Sequence, residues 1–197
     1  MIEYKNIGLT YENKRLFENF SATVRNGEHV CFAGPSGRGK TTLLKMIPGL
    51  VVPDSGSVTL DGMTLNPQNL KKIRNLITWI PQNVNLPVNN ANEMIEFMNL
   101  NDYKEQIALY LEKLNLDENY FDKHFSDISG GEKQRVVIAV TLAKDKPVIV
   151  MDEPTSALDK DSVAILSALI TSLEGKTVIS SSHNQQWLEA AERIIEL

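Results

Sequence analysis

The run Gly34-Pro35-Ser36-Gly37-Arg38-Gly39-Lys40-Thr41 restricts the fold more than any other stretch of the chain, because it fits the phosphate-binding pattern GxxxxGK[ST]. Such a loop needs a strand to deliver it and a helix to follow it, with unpaired amides at the helix start. Both flanks comply: His29 to Ala33 is an apolar run of strand length, and Thr42 to Met46 reads as helical. The glycines let the backbone turn tightly and aim several N–H groups at one ligand without a side chain in the way. Lys40 is then a mobile charge for the β- and γ-phosphates of a nucleotide, and the Thr41 hydroxyl is a ligand for Mg²⁺. Pro35, Ser36, Arg38 and the following Thr42 are assigned to the same nucleotide site.

Val148-Ile149-Val150-Met151-Asp152-Glu153 supplies a second element of that chemistry. Four apolar residues make a buried strand, and its C-terminal end carries two adjacent acids to the edge where ligands bind in α/β sheets. Asp152 is expected to hold Mg²⁺ through water. Glu153, pointing the other way by strand alternation, is expected to polarise the attacking water. A strand ending in two acids means little alone, but together with the loop it implies a P-loop ATPase acting on Mg-ATP.

The other segments fit an α/β fold. Apolar runs at Ile77 to Ile80 and Thr177 to Ser180 read as further parallel strands between helical patterns. Glu3 to Thr10 and Phe20 to Arg25 alternate apolar and polar residues and suggest a small antiparallel sheet, joined by Ser57 to Leu60 after the turn at Pro53 to Gly56. From Val84 to Lys144 the pattern is almost purely helical, with Met94, Ile95, Phe97 and Met98 on one helix face. Ile107, Leu111 and Leu114 share a second face, and Val136, Val137 and Val140 a third. The expected architecture is an α/β P-loop NTPase with a RecA-like core, an N-terminal antiparallel β subdomain and an inserted α-helical subdomain. All of it belongs to one domain over residues 1–197, with the helical insertion at approximately 84–144.

Bulk properties exclude several other classes. The net charge of −5 argues against a nucleic-acid partner, which would favour a basic surface. A single cysteine, Cys31, permits no intramolecular disulfide and reads as a small buried hydrophobe. The first residues do not resemble a secretion signal, and no stretch approaches the eighteen or so apolar residues of a membrane span. A cytoplasmic protein is expected, touching a membrane only through a partner. The sequence ends at Leu197, close after the apolar segment Ile194 to Leu197, and no regulatory or substrate-sensing domain is expected.

The kind of ATPase is narrowed by Ser129-Gly130-Gly131-Glu132-Lys133-Gln134-Arg135, which stands before the helical run Val136 to Leu142. On its own, Ser-Gly-Gly reads equally well as a helix cap or as a second set of anion-binding amides. The segment resembles the signature motif of ATP-binding cassette proteins, and it precedes the acidic strand as it does in that family. Other landmarks follow in family order over nearly the whole chain. Gln82 resembles the glutamine that senses the metal and γ-phosphate beside a transmembrane partner. Ser156-Ala157-Leu158-Asp159 is similar to the loop that crosses the dimer interface. His183 looks like the switch histidine at the γ-phosphate, and Tyr11 like the aromatic that stacks on adenine. Ile128 and Glu132 depart from the more typical Leu and Gln, and neither departure is expected to abolish nucleotide binding.

The resemblance implies a homodimer with ATP at the interface, in which Ser129, Gly130 and Gly131 of one copy close over the nucleotide of the other. It also implies a catalytic set of Glu153, His183, Gln82 and Lys40, with Thr41, Gln82 and Asp152 at the metal. A separate integral-membrane permease is the expected partner, met at the cytoplasmic face of the cell membrane near Gln82 to Met98, where Leu86, Pro87 and Val88 are expected on the surface. The alternative is a soluble cassette protein in translation or DNA maintenance. Those forms usually carry two cassettes or a long coiled coil, and neither is visible here.

Overall fold

The computed structural model describes residues 1–11, 14–82 and 87–197. Two sheets organise it. The first is antiparallel, in the order β2 (Lys14–Val24), β1 (Ile2–Tyr11), β4 (Ser55–Leu60), β5 (Met63–Thr64). Ser55 and Gly56, expected in a turn, already belong to β4, with Ser55 opposite Gly8 of β1. The second sheet is parallel, in the order β6 (Ile77–Ile80), β7 (Val148–Asp152), β8 (Thr177–Ser181), β3 (His29–Ala33), β9 (Arg193–Glu196).

The parallel strands read as continuous apolar runs because alternate residues enter two different cores. Cys31, Ile80, Ile149, Met151 and Val178 pack into a core shared with the helical lobe. Val30, Phe32, Ile77, Val148, Val150 and Ile179 pack into the other, against the antiparallel sheet and α1 (Lys40–Met46). Strand β9 was not expected. Its residues, from exposed to half-buried, pair with one edge of β3 and so carry little hydrophobic pattern.

The remaining parallel-sheet helices are α2 (Leu70–Asn75), α6 (Lys160–Thr171) and α7 (Gln185–Ala190). The helical lobe holds α3 (Ala91–Phe97), α4 (Lys104–Lys113) and α5 (Gly130–Leu142), with single 3-10 turns at Asn101–Tyr103 and Glu118–Phe121. The expected start of the lobe at Val84, with Leu86 after it, lies outside the described residues. Helix α5 is apolar on most sides, Val136 to Val140 all being buried, because it sits between the sheet and the other lobe helices.

The face expected for α3 needs one correction. Ala91, Met94 and Ile95 are buried and Met98 packs against them, but Phe97 is 59% exposed. At ~100° per residue, position 97 lies roughly 110° from the centre of that face. Val88 is also corrected: it is half-buried against the lobe core, whereas Pro87 is exposed as expected.

Burial decides the chemistry of two core side chains. The Cys31 thiol is pushed up to about 11, chiefly by burial, and is inert at neutral pH. His29 meets the Trp187 ring edge-on at 5.6 Å, and its Nε2 lies 3.4 Å from Ser180 Oγ. Burial lowers its pKa, opposed by the Ala190 carbonyl and the Glu192 charge. The unfolded chain therefore binds a proton that the folded chain refuses. Stability falls as pH drops below about 6.5 and keeps falling toward the folded-state value. The expected result for His29→Phe is a smaller loss of unfolding free energy between pH 7 and pH 5.5, measured by urea titration. An unchanged pH slope would remove His29 as its source.

Candidate functional site

Strand β3 ends at Ala33, and the chain turns through Gly34 at φ 136° before α1 begins. A Cβ on Gly34 would sit 2.7 Å from the Leu197 carbonyl oxygen, so glycine is required there by both conformation and space. The cap of α1 is Gly39, at φ 92°, and no side chain occupies the first-turn amides. Those donors face a cavity of about 620 Å³ that residues 34–37 and 39–42 line. Lys40, only 8% exposed, donates from Nζ to the carbonyls of Gly34 at 2.7 Å and Pro35 at 3.1 Å. Its charge is thereby held over the cavity by groups that a phosphate oxygen can replace.

The acidic strand is joined to the same cavity through Thr41, which lines it, while Asp152 itself lies buried behind that lining. Thr41 Oγ1 donates to Asp152 Oδ1 at 2.8 Å, and Ser181 Oγ donates to the same oxygen at 2.8 Å. These hard oxygen donors fit Mg²⁺, which usually takes one or two carboxylates and completes its shell with phosphates and water. Among the described residues no group of three or more His, Cys, Asp or Glu could hold a metal. Phosphate oxygens of a bound nucleotide and water would complete the shell.

Glu153 reaches the cavity by a route that strand alternation does not explain. Strand β7 stops at Asp152, and Glu153 has φ 47°, in the left-handed region. Seven non-glycine residues among those described have positive φ; the other six are Asn or Asp, whose short polar side chains tolerate it. Glu153 alone lacks that excuse, and its conformation costs about 1–3 kcal/mol. Two acceptors hold it: the Glu153 amide donates to Ser181 O and Ser181 Oγ, both at 3.1 Å. The turn carries the carboxylate to His183, whose Nδ1 lies 3.0 Å from Oε2. Glu153, His183 and Gln82 all line the cavity, and the ring of Tyr11, 61% exposed, stands at its mouth.

Ser181 escaped the reading of the sequence, although three serines closing an apolar strand beside an acidic one are a usable signal. It braces Asp152 and Glu153 together. Ser181→Ala is expected to lower the unfolding free energy by about 2 kcal/mol, the scale of a buried hydrogen bond to a charge. Turnover should drop by roughly tenfold as the Glu153 turn loosens. Urea titration and a phosphate-release assay check the two effects.

The sequence model described as ABC transporter matches residues 17–156. The chain belongs to the ABC transporter family. A dimeric bacterial ABC transporter cassette superposes on all of this chain and 94% of its own, with TM-score 0.89 at 32% identity. A post-hydrolysis ATP-binding cassette bound to ADP and Pi gives 0.88, also at 32% identity and with the same coverage. An energy-coupling factor transporter ATP-binding protein of Fusobacterium nucleatum is 35% identical over 99% of this chain and 78% of its own. An ATP-dependent lipid A-core flippase of Burkholderia pseudomallei is 33% identical over the whole of this chain, which spans 35% of the flippase.

The remaining family landmarks of this ABC cassette lie away from the cavity lining, as does Arg38, which is exposed at the loop's outer side. Ser129 caps α5 in a capping box: its Oγ accepts from Glu132 N at 3.2 Å, and Ser129 N donates to Glu132 Oε2 at 2.8 Å. Ser129 and Gly130 are exposed. Gly131 packs so closely on the next loop that a Cβ would lie 2.9 Å from the Ala157 carbonyl oxygen. Buried Gln134, which carried no assigned role, ties that loop to α5 by donating to Pro154 O at 2.7 Å and accepting from Ala157 N at 3.3 Å. Asp159 caps α6, accepting from Ser162 N at 2.8 Å, and the Ser162 contacts hold its carboxyl below the usual range. No described helix is long and apolar enough to cross a membrane.

Proposed function

We propose that this cassette binds Mg-ATP in the 34–42 cavity, hydrolyses it to ADP and phosphate as a homodimer, and powers a membrane transporter. Its permease is a separate chain, docked at the cytoplasmic face of the cell membrane. One observation carries the reading: the amide loop and the Glu153–His183 pair line one cavity, and Thr41 in the same lining is hydrogen-bonded to Asp152 behind it. The dimeric cassette that superposes on the chain supports the pairing, and the transporter relatives support the coupling.

In this mechanism the triphosphate displaces the Gly34 and Pro35 carbonyls from Lys40, and the loop amides take the β-phosphate oxygens. Thr41, Asp152 and Gln82 hold Mg²⁺, which supplies charge neutralisation on the phosphates when bound. Tyr11 stacks on adenine. Glu153 accepts a proton from water while the water oxygen attacks the γ-phosphorus and the bond to the β–γ bridging oxygen breaks. His183 orients that carboxylate and reaches the γ-phosphate. Ser129, Gly130 and Gly131 of the second copy complete the site, with the 156–159 loop crossing between copies. Gln82, exposed Pro87 and exposed Phe97 lie on the stretch proposed to meet the permease.

Purified chain given magnesium and ATP is expected to release phosphate saturably and to sediment as a dimer. After mild detergent extraction it should copurify with a multi-span membrane protein. Failure to retain adenine nucleotide at millimolar concentration would overturn the reading, and copurification with ribosomes or DNA would overturn the transporter assignment.

A further inference from the structure

The signature helix of this chain carries a carboxylate, Glu132, one turn into an N-terminus that is proposed to receive a phosphate. An acid there is a rival anion for the same amides and repels the incoming one. The structure shows where that charge is kept. Glu132 Oε2 accepts from Ser129 N, and Oε1 accepts from the Tyr120 hydroxyl. Tyr120 is set by its own neighbours: it lies in the Glu118–Phe121 turn capped by Asp117, and the Lys123 ammonium sits 3.6 Å from its ring centroid. Arg135 ties α5 to the end of α4 by donating to Leu114 O at 2.8 Å.

Two donors, Ser129 N–H and Tyr120 O–H, thus meet two carboxylate oxygens. A glutamine offers one acceptor oxygen and would turn its NH₂ toward the second donor. The Ser129 hydroxyl accepts from Glu132 N and keeps its own proton for another acceptor.

We propose that Tyr120 is a positioning residue: it tethers the Glu132 carboxylate to the lobe side of the α5 N-terminus and leaves the Ser129 hydroxyl and the Gly130 and Gly131 amides open to the γ-phosphate held by a second copy. This rests on the pairing proposed above. Untethered, the carboxylate swings toward the open amides and competes for them. The tether acts on closure of the pair and not on nucleotide capture by one copy, because neither Tyr120 nor Glu132 lines the nucleotide cavity.

The test is a double-mutant cycle of Tyr120→Phe and Glu132→Gln, all four proteins carrying Glu153→Gln to hold ATP intact. The monomer–dimer constant is read by sedimentation in Mg-ATP. Tyr120→Phe is expected to weaken the dimer by about tenfold with glutamate present, the upper scale of one hydrogen bond. With Glu132→Gln already in place the same change should cost less than about twofold, since the competing charge is gone. Fluorescent-nucleotide affinity measured below the dimerisation range should be the same for Tyr120→Phe and its parent. An equal cost of Tyr120→Phe in both backgrounds, or no cost in either, overturns the tether while leaving the pairing intact. A parent protein that binds ATP and never dimerises overturns the pairing, and the tether with it.

Discussion

Glu153→Gln is expected to bind Mg-ATP, to hydrolyse it about 10² to 10⁴ times more slowly, and to accumulate as a dimer. Glutamine keeps the volume of a side chain that is 10% exposed and leaves untouched the amide bonds to Ser181 that hold the φ 47° turn. What it removes is the proton acceptor. His183, the partner of the carboxylate, is 76% exposed in its side chain, so the pair contributes little to stability and the variant should unfold much as the parent does. With phosphate bonds intact, the interactions that close the pair persist and the bound state becomes long-lived. Phosphate release and sedimentation in ATP measure the two halves of the expectation. Near-parental turnover would remove Glu153 as the base.

Much of this was legible because local chemistry and global position coincide. Residues 34–41 need glycine where the chain turns, and His29 to Ala33 and Val148 to Met151 are apolar because each strand is covered on both faces. The parts that were not legible depend on partners distant in sequence. Strand β9 exists through hydrogen bonds to β3 and buries little of its own. Glu153 adopts its left-handed turn because Ser181, 28 residues on, accepts its amide. Phe97 was placed on the helix face of Met94, Ile95 and Met98, whereas the angle around α3 puts it outside that face. Ser-Gly-Gly left a choice between a cap and an anion site, and the geometry makes it a cap whose glycine amides remain unblocked by its own side chains. Glu132 was read as a tolerated departure, and its fit to two donors could not be seen without Tyr120 beside it.

Ser129→Arg should separate the two halves of the proposed site. Ser129 is exposed at the start of α5, at φ −63° and ψ 157°, a conformation open to arginine, so the backbone tolerates the change. Losing the hydroxyl that accepts from Glu132 N removes one cap, a cost of about 1 kcal/mol. For a chain of this size that corresponds to a fall in melting temperature of about 2–4 °C. The cavity residues of the same copy are untouched, so nucleotide affinity of the monomer should stay at the parental value. The guanidinium, however, occupies the face where a second copy's γ-phosphate would reach the Gly130 and Gly131 amides. Its bulk keeps those donors beyond the ~3 Å that a hydrogen bond requires. The ATP-dependent dimer should disappear, and turnover should fall at least as far as in Glu153→Gln, because water remains in an unclosed site and the donors to the developing charge are missing. The two variants then differ in one observable: Glu153→Gln gathers as a dimer in ATP and Ser129→Arg stays monomeric. Sedimentation in ATP showing Ser129→Arg to pair as the parent does would mean that the α5 N-terminus does not face the second nucleotide.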